Sequence, residues 1–118
     1  MVDEVLRFDL SRQHIQMFLA HIFVYLVCQD SPGEGPLVET IKEIGSRFFA
    51  LDSQGSARAS FLLTTGEVRA LKLMFRSLVQ CYCKNPPSLN RARALRDLTI
   101  CRALLQRAKR LSVQKEES

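Results

Sequence analysis

The chain has 118 residues, of which 47% are hydrophobic and 25% charged, and it carries a net charge of +5. That length suits one domain burying roughly two-thirds of its unfolded surface, and the composition excludes a disordered or low-complexity chain. The charge is unevenly placed: residues 1–83 hold eight Lys/Arg against nine Asp/Glu, whereas residues 84–118 hold nine against three. A positive excess confined to the C-terminal part points to an anionic partner and says nothing about fold.

Residues 1–9 are expected to be a partly ordered lead-in. A first helix is predicted from about Ser11 to Gln29, with Ser11 as N-cap and Leu10 and Ile15 in the two positions of a hydrophobic staple. Ile15, Phe18, Leu19, Ile22 and Leu26 recur at helical spacing, and Met17, Phe23, Val24, Val27 and Cys28 fill much of the remaining circumference. A helix apolar nearly all round is surrounded, by its own fold or by another subunit. Phe18, Phe23 and Tyr25 are the aromatic candidates for a self-association core. The apolar run Met17–Cys28 is shorter than the ~20 residues a membrane span needs. Asp3, Glu4 and Asp9 precede it, unlike the basic start of a signal peptide.

Gln29–Pro36 is rich enough in glycine and proline to turn the chain, and Pro36 suits the first turn of a second helix, Leu37 to Leu51. Leu37, Ile41, Ile44 and Phe48 line its inner face, with Gly45 beside them placed to let a neighbouring helix come close. Residues 57–63 have no readable period and are expected to form a short helical turn. Thr64-Thr65-Gly66-Glu67 is a capping box, with Leu63 and Val68 as its staple, and it starts a third helix running to about Cys83. Arg69, Lys72 and Arg76 lie on that helix opposite its apolar face. Pro86-Pro87 breaks it and Ser88 caps a fourth helix reaching about Leu111. Residues 113–118 should fray. No internal repeat is evident.

On a helical wheel the fourth helix gathers Leu98, Cys101, Leu104 and Leu105 on one arc, with Asp97 intruding. Arg91, Arg96, Arg102, Arg107, Lys109 and Arg110 occupy the other side and are the candidate anion- or partner-binding residues, for an acidic protein or nucleic acid. Solvation and the helix dipole account for cations near the C-terminus, but the dipole disfavours those in the first turns.

Catalytic apparatus is absent from the pattern. Gly33-Glu34-Gly35 lacks the third glycine and the preceding strand of a phosphate loop. His14, His21 and Cys28 are seven residues apart on one helix, about 10 Å per step, whereas helical metal pairs sit three or four apart. No metal or other cofactor is therefore expected, and His21 is read as a hydrogen-bonded core or interface histidine. Cys28, Cys81, Cys83 and Cys101 stand in apolar helical contexts without metal or redox spacing, which predicts free thiols in a reducing cytoplasm.

The expected architecture is an all-α four-helix bundle of one domain, with the first helix central and the third and fourth an antiparallel hairpin. The expected function is a non-catalytic protein-interaction module, an adaptor or regulatory subunit that self-associates, with no small-molecule substrate. The alternative is a nucleic-acid-binding accessory protein that uses the basic face of the last helix; that face lacks the aromatics that single-strand binding uses.

Overall fold

The computed structural model describes residues 4–27, 35–55, 57–84, 89–107 and 109–110. The elements run β1 (Val5–Ser11), α1 (Arg12–Val27), α2 (Pro36–Gln54), β2 (Arg58–Thr64), α3 (Thr65–Lys84), α4 (Leu89–Gln106) and β3 (Lys109–Arg110). The expected breaks at 29–34 and 85–88, the Ser88 cap, Cys28 and the tail 113–118 lie outside the described residues.

The four helices are present, but the all-α expectation is overturned by an antiparallel sheet of order β2-β1-β3. The expected lead-in contains β1, and the expected helical turn at 57–63 is almost all β2. Each strand buries alternate residues: Phe8 and Leu10 in β1, with Asp9 exposed between them, and Phe61 and Leu63 in β2, with Leu62 exposed. Such alternation marks a half-buried strand. It is spread over so few residues that neither strand is convincing without its partner, which lies far away in sequence. The fourth helix also stops at Gln106, short of Leu111, because Lys109 and Arg110 pair with Arg7 and Leu6 on the free edge of β1.

The register reveals an internal repeat that the residues alone conceal. The second half begins each element 53 residues after its counterpart, Val5 to Arg58, Arg12 to Thr65 and Pro36 to Leu89. Each half is therefore a strand followed by two helices. The middle residues of the two seven-residue strands, Phe8 and Phe61, lie directly opposite one another. Val5 opposes Thr64 and Ser11 opposes Arg58 at the two ends, so the halves meet about a local twofold through the Phe8–Phe61 pair. The junctions obey the same relation. Arg12 N–H donates to Ala57 C=O at 2.9 Å, and Thr65 N–H donates to Glu4 C=O at 3.0 Å.

Equivalent side chains do equivalent work in the two halves. Ser11 Oγ accepts from His14 N–H at 3.2 Å, and Thr64 Oγ1 accepts from Glu67 N–H at 3.1 Å. A hydroxyl at the strand's end thus caps the following helix in both halves. Ile15, Phe18, Ile22 and Tyr25 are buried at the fourth, seventh, eleventh and fourteenth positions of α1, and Val68, Leu71, Phe75 and Leu78 at the same positions of α3. The repeat is one of size and polarity more than of identity, which hides it from inspection of the letters.

One hydrophobic cluster joins all four helices and both long strands, with Ile41, Ile44 and Phe48 from α2 and Leu98, Cys101 and Leu105 from α4. The first helix touches each of the other three. Gly45 brings α2 against α1: a Cβ there would sit 3.0 Å from Ile22 Cγ2. No helix among the described residues is long and apolar enough to cross a membrane.

Candidate functional site

The first helix of a surrounded fold should hide its aromatics, and Phe18 and Tyr25 are indeed core residues. Phe18 stacks on Phe48 with ring centroids 5.1 Å apart, and Tyr25 is buried. Neither reaches the surface, so of the three aromatics expected at a self-association interface Phe23 alone is exposed. It does not stand by itself. Phe23 (56% exposed) and Val27 (66%) from α1 and Phe49 (64%) from α2 rim a groove of about 610 Å³. Leu19, Ile22, Leu26 and Gly45 line the groove with them, and Lys42 is its one charged lining residue among the described residues. The spacing of Leu37, Ile41, Ile44 and Phe48 sets the inner face of α2, and Phe49 stands beside it as an apolar residue off that stripe.

The basic residues of α4 divide among different surroundings instead of forming one strip. Arg96, Arg102 and Arg107 are exposed, and Arg91 is half-buried. The side chains of Lys109 and Arg110 lie outside the described residues. Among the described residues no ion pair engages Arg96, Arg102 or Arg107. The acids of α2 do not fold back onto them: Glu39 lies 3.9 Å from Lys42, and Glu43 is exposed. Arg107 opens into a recess of about 280 Å³ beside the sheet, with Arg7, Asp9, His14 and Arg58. Arg102 opens into another, of about 190 Å³, with Lys72, Arg76, Leu105 and Gln106.

That second recess overlaps, at three positions, the place in the second half that the groove occupies in the first. Lys72 is the eighth residue of α3 as Leu19 is of α1, and Arg76 the twelfth as Phe23 is. Arg102 is the fourteenth residue of α4 as Phe49 is of α2. Three apolar rim positions have become three cations. Lys72 and Arg76 are readable from their spacing as an outward face of α3, whereas their proximity to Arg102 arises only across two helices.

A polar seam crosses the core where α1, α3 and α4 meet. His21 is 4% exposed, and its Nδ1 shares a hydrogen bond of 3.1 Å with Tyr82 Oη, as expected of a core histidine. Its Nε2 is buried with no hydrogen-bond partner among the described residues, while Phe75 meets the ring edge-on. Burial holds His21 below its ordinary value of 6.5, and the Asp97 carboxylate offsets part of that. Burial, with Asp97, also pushes the Cys101 thiol up to about 12. A thiol held so firmly protonated is no nucleophile, which fits a packing role. Cys83, by contrast, is exposed.

This seam makes stability depend on pH. With the folded pKa of His21 depressed, the unfolded chain binds the extra proton first, so the stabilisation is complete above 6.5 and is lost as pH falls below it. The second half carries Met74 at the equivalent position, the tenth of its helix. His21→Met therefore removes the titration while keeping a side chain the fold already accepts there. Urea melts at about pH 7.5 and about pH 5 should show a loss for the native chain that the variant lacks. Equal losses in both proteins would refute the assignment.

Among the described residues no group of three or more His, Cys, Asp or Glu side chains is placed to hold a metal ion. Among the described residues the α1–α2 groove is lined mainly by apolar side chains and the α3–α4 recess by cations, while Asp9 and His14 line the recess beside the sheet. Comparison with protein-family models, curated proteins and solved structures finds no match.

Proposed function

We propose that this protein is a non-catalytic interaction module, an adaptor or regulatory subunit, that self-associates through the α1–α2 groove. The observation carrying this reading is the exposure of Phe23, Val27 and Phe49 around one apolar groove. Contiguous apolar surface of this kind marks an interaction site on a soluble protein. A second copy is the occupant that the surface itself suggests. Protruding phenylalanines and the hollow to receive them lie on the same patch, which is what a twofold interface requires. Among the described residues the only charge lining the groove is Lys42, so two copies meet there with little repulsion. Free thiols at Cys81, Cys83 and Cys101 support a reducing cytoplasm as the compartment.

Light scattering at high micromolar concentration should give the mass of a dimer. Phe23→Asp and Phe49→Asp should each give a monomer that still unfolds cooperatively, because neither side chain contributes to the core. A native chain that stays monomeric across that range would overturn the reading. Nucleic-acid binding through α4 is the less supported alternative, because Arg102 and Arg107 open into different recesses and Arg91 is half-buried.

A further inference from the structure

We infer that the α3–α4 recess formed by Lys72, Arg76 and Arg102 is a binding site for a single phosphate group of a small molecule. It shares no lining residue with the α1–α2 groove and so does not rest on self-association. Three cations and the Gln106 carboxamide surround the recess over the buried Leu105, and no carboxylate of the described residues lines it. Lys72 and Arg76 are four apart on one helix, where like charges destabilise each other unless an anion lies between them. None of the ion pairs of the described residues relieves Lys72, Arg76 or Arg102.

The internal repeat shows that cations are no requirement of the fold here. The same three rim positions carry Leu19, Phe23 and Phe49 in the first half, on helices that begin at equivalent points. Equivalent positions on a shared scaffold are thus apolar in one half and cationic in the other, which is a difference of ligand chemistry. Guanidinium groups present paired N–H donors that match phosphate oxygens, and the lysine adds a point charge. No aromatic side chain lines the recess, so nothing there stacks on a base or a sugar, and the phosphate itself is what the site reads.

The test is calorimetric titration of the full chain at low ionic strength with inorganic phosphate and, in a second arm, glycerol phosphate. The arm with the tighter constant tells a free anion from an ester. One-to-one saturable binding is expected in at least one arm, with a raised melting temperature at saturation. Arg76→Gln and Arg102→Gln should each weaken binding by about tenfold or more, the loss of one charge-assisted hydrogen bond. Arg96→Gln, exposed on α4 but outside the recess, should leave binding unchanged. The unliganded melting temperatures of Arg96→Gln and Arg102→Gln should match the native one, and that of Arg76→Gln should lie slightly above it, since all three side chains are exposed and Arg76 repels Lys72. Absence of saturable binding in both arms would overturn the proposal. So would an equal loss in Arg96→Gln, or duplex DNA binding weakened alike by Arg96→Gln and Arg102→Gln, because either result means a diffuse polyanion surface.

Discussion

Phe48→Ala should cost the fold about 3–5 kcal/mol, the range for deleting a buried phenylalanine ring. Phe48 is 1% exposed and lies between two other rings, stacked on Phe18 at 5.1 Å and on Phe61 at 4.1 Å. Those contacts tie α2 to α1 on one side and to β2 on the other. Neighbours held by a helix and a sheet have little freedom to collapse into the space left behind, which places the loss toward the upper part of the range. Domains of this size are stable by about 5–15 kcal/mol in total, so the variant should retain only a fraction of that. The measurement is the urea midpoint; a shift equivalent to less than about 1 kcal/mol would mean the aromatic stack is not part of the working core.

The second large effect centres on Glu67. Its Oε1 accepts from Thr64 N–H at 2.9 Å, closing the capping box at the start of α3. Its Oε2 accepts from Arg47 Nη2, and Arg47 Nη1 donates to Leu62 C=O at 3.0 Å while the guanidinium lies 5.3 Å from the centre of the Phe61 ring. One carboxylate therefore links the end of β2, the beginning of α3 and the side of α2. Glu67→Ala should lose about 2–3 kcal/mol, from an unsatisfied backbone donor and a partly buried guanidinium left without its partner. Thr64→Ala removes only the reciprocal cap and should lose about 0.5–2 kcal/mol. A double-mutant cycle with Arg47→Ala should give a coupling energy above about 0.5 kcal/mol between Arg47 and Glu67. Additive losses would show that the pair is incidental and that the cap alone matters.

The two effects differ in how far the residues alone disclose them. The capping box is legible because its geometry is local: a hydroxyl and a carboxylate three residues apart meet whenever a helix starts there. The same locality made the Ser11 cap, the proline at the start of α2 and most of the inner face of α2 readable; Ile41, Ile44 and Phe48 are buried as expected, with Val38 more deeply placed than Leu37. The aromatic stack is not legible, because Phe18, Phe48 and Phe61 come from three separate elements. The self-association residues divide for the same reason. Phe18, Phe23 and Tyr25 share one apolar helix, and nothing in its pattern tells which of them the rest of the fold covers.

Composition, spacing and capping residues by themselves determined four helices and most of their limits, a buried histidine, and an excess of cations toward the C-terminus. Each of these depends on interactions within a turn or two of the chain, where the residues involved are neighbours in sequence. Tertiary structure alone decided that the first nine residues contribute most of a strand, that 58–64 is its partner, and that α4 yields to a third strand. A strand of seven residues makes no hydrogen bonds within itself, so it exists only where a distant partner supplies them. That pairing is also what aligns the two halves about Phe8 and Phe61 and sets Lys72, Arg76 and Arg102 in the places held by Leu19, Phe23 and Phe49. The correspondence is one of position across a symmetry axis, which a chain acquires only when it folds.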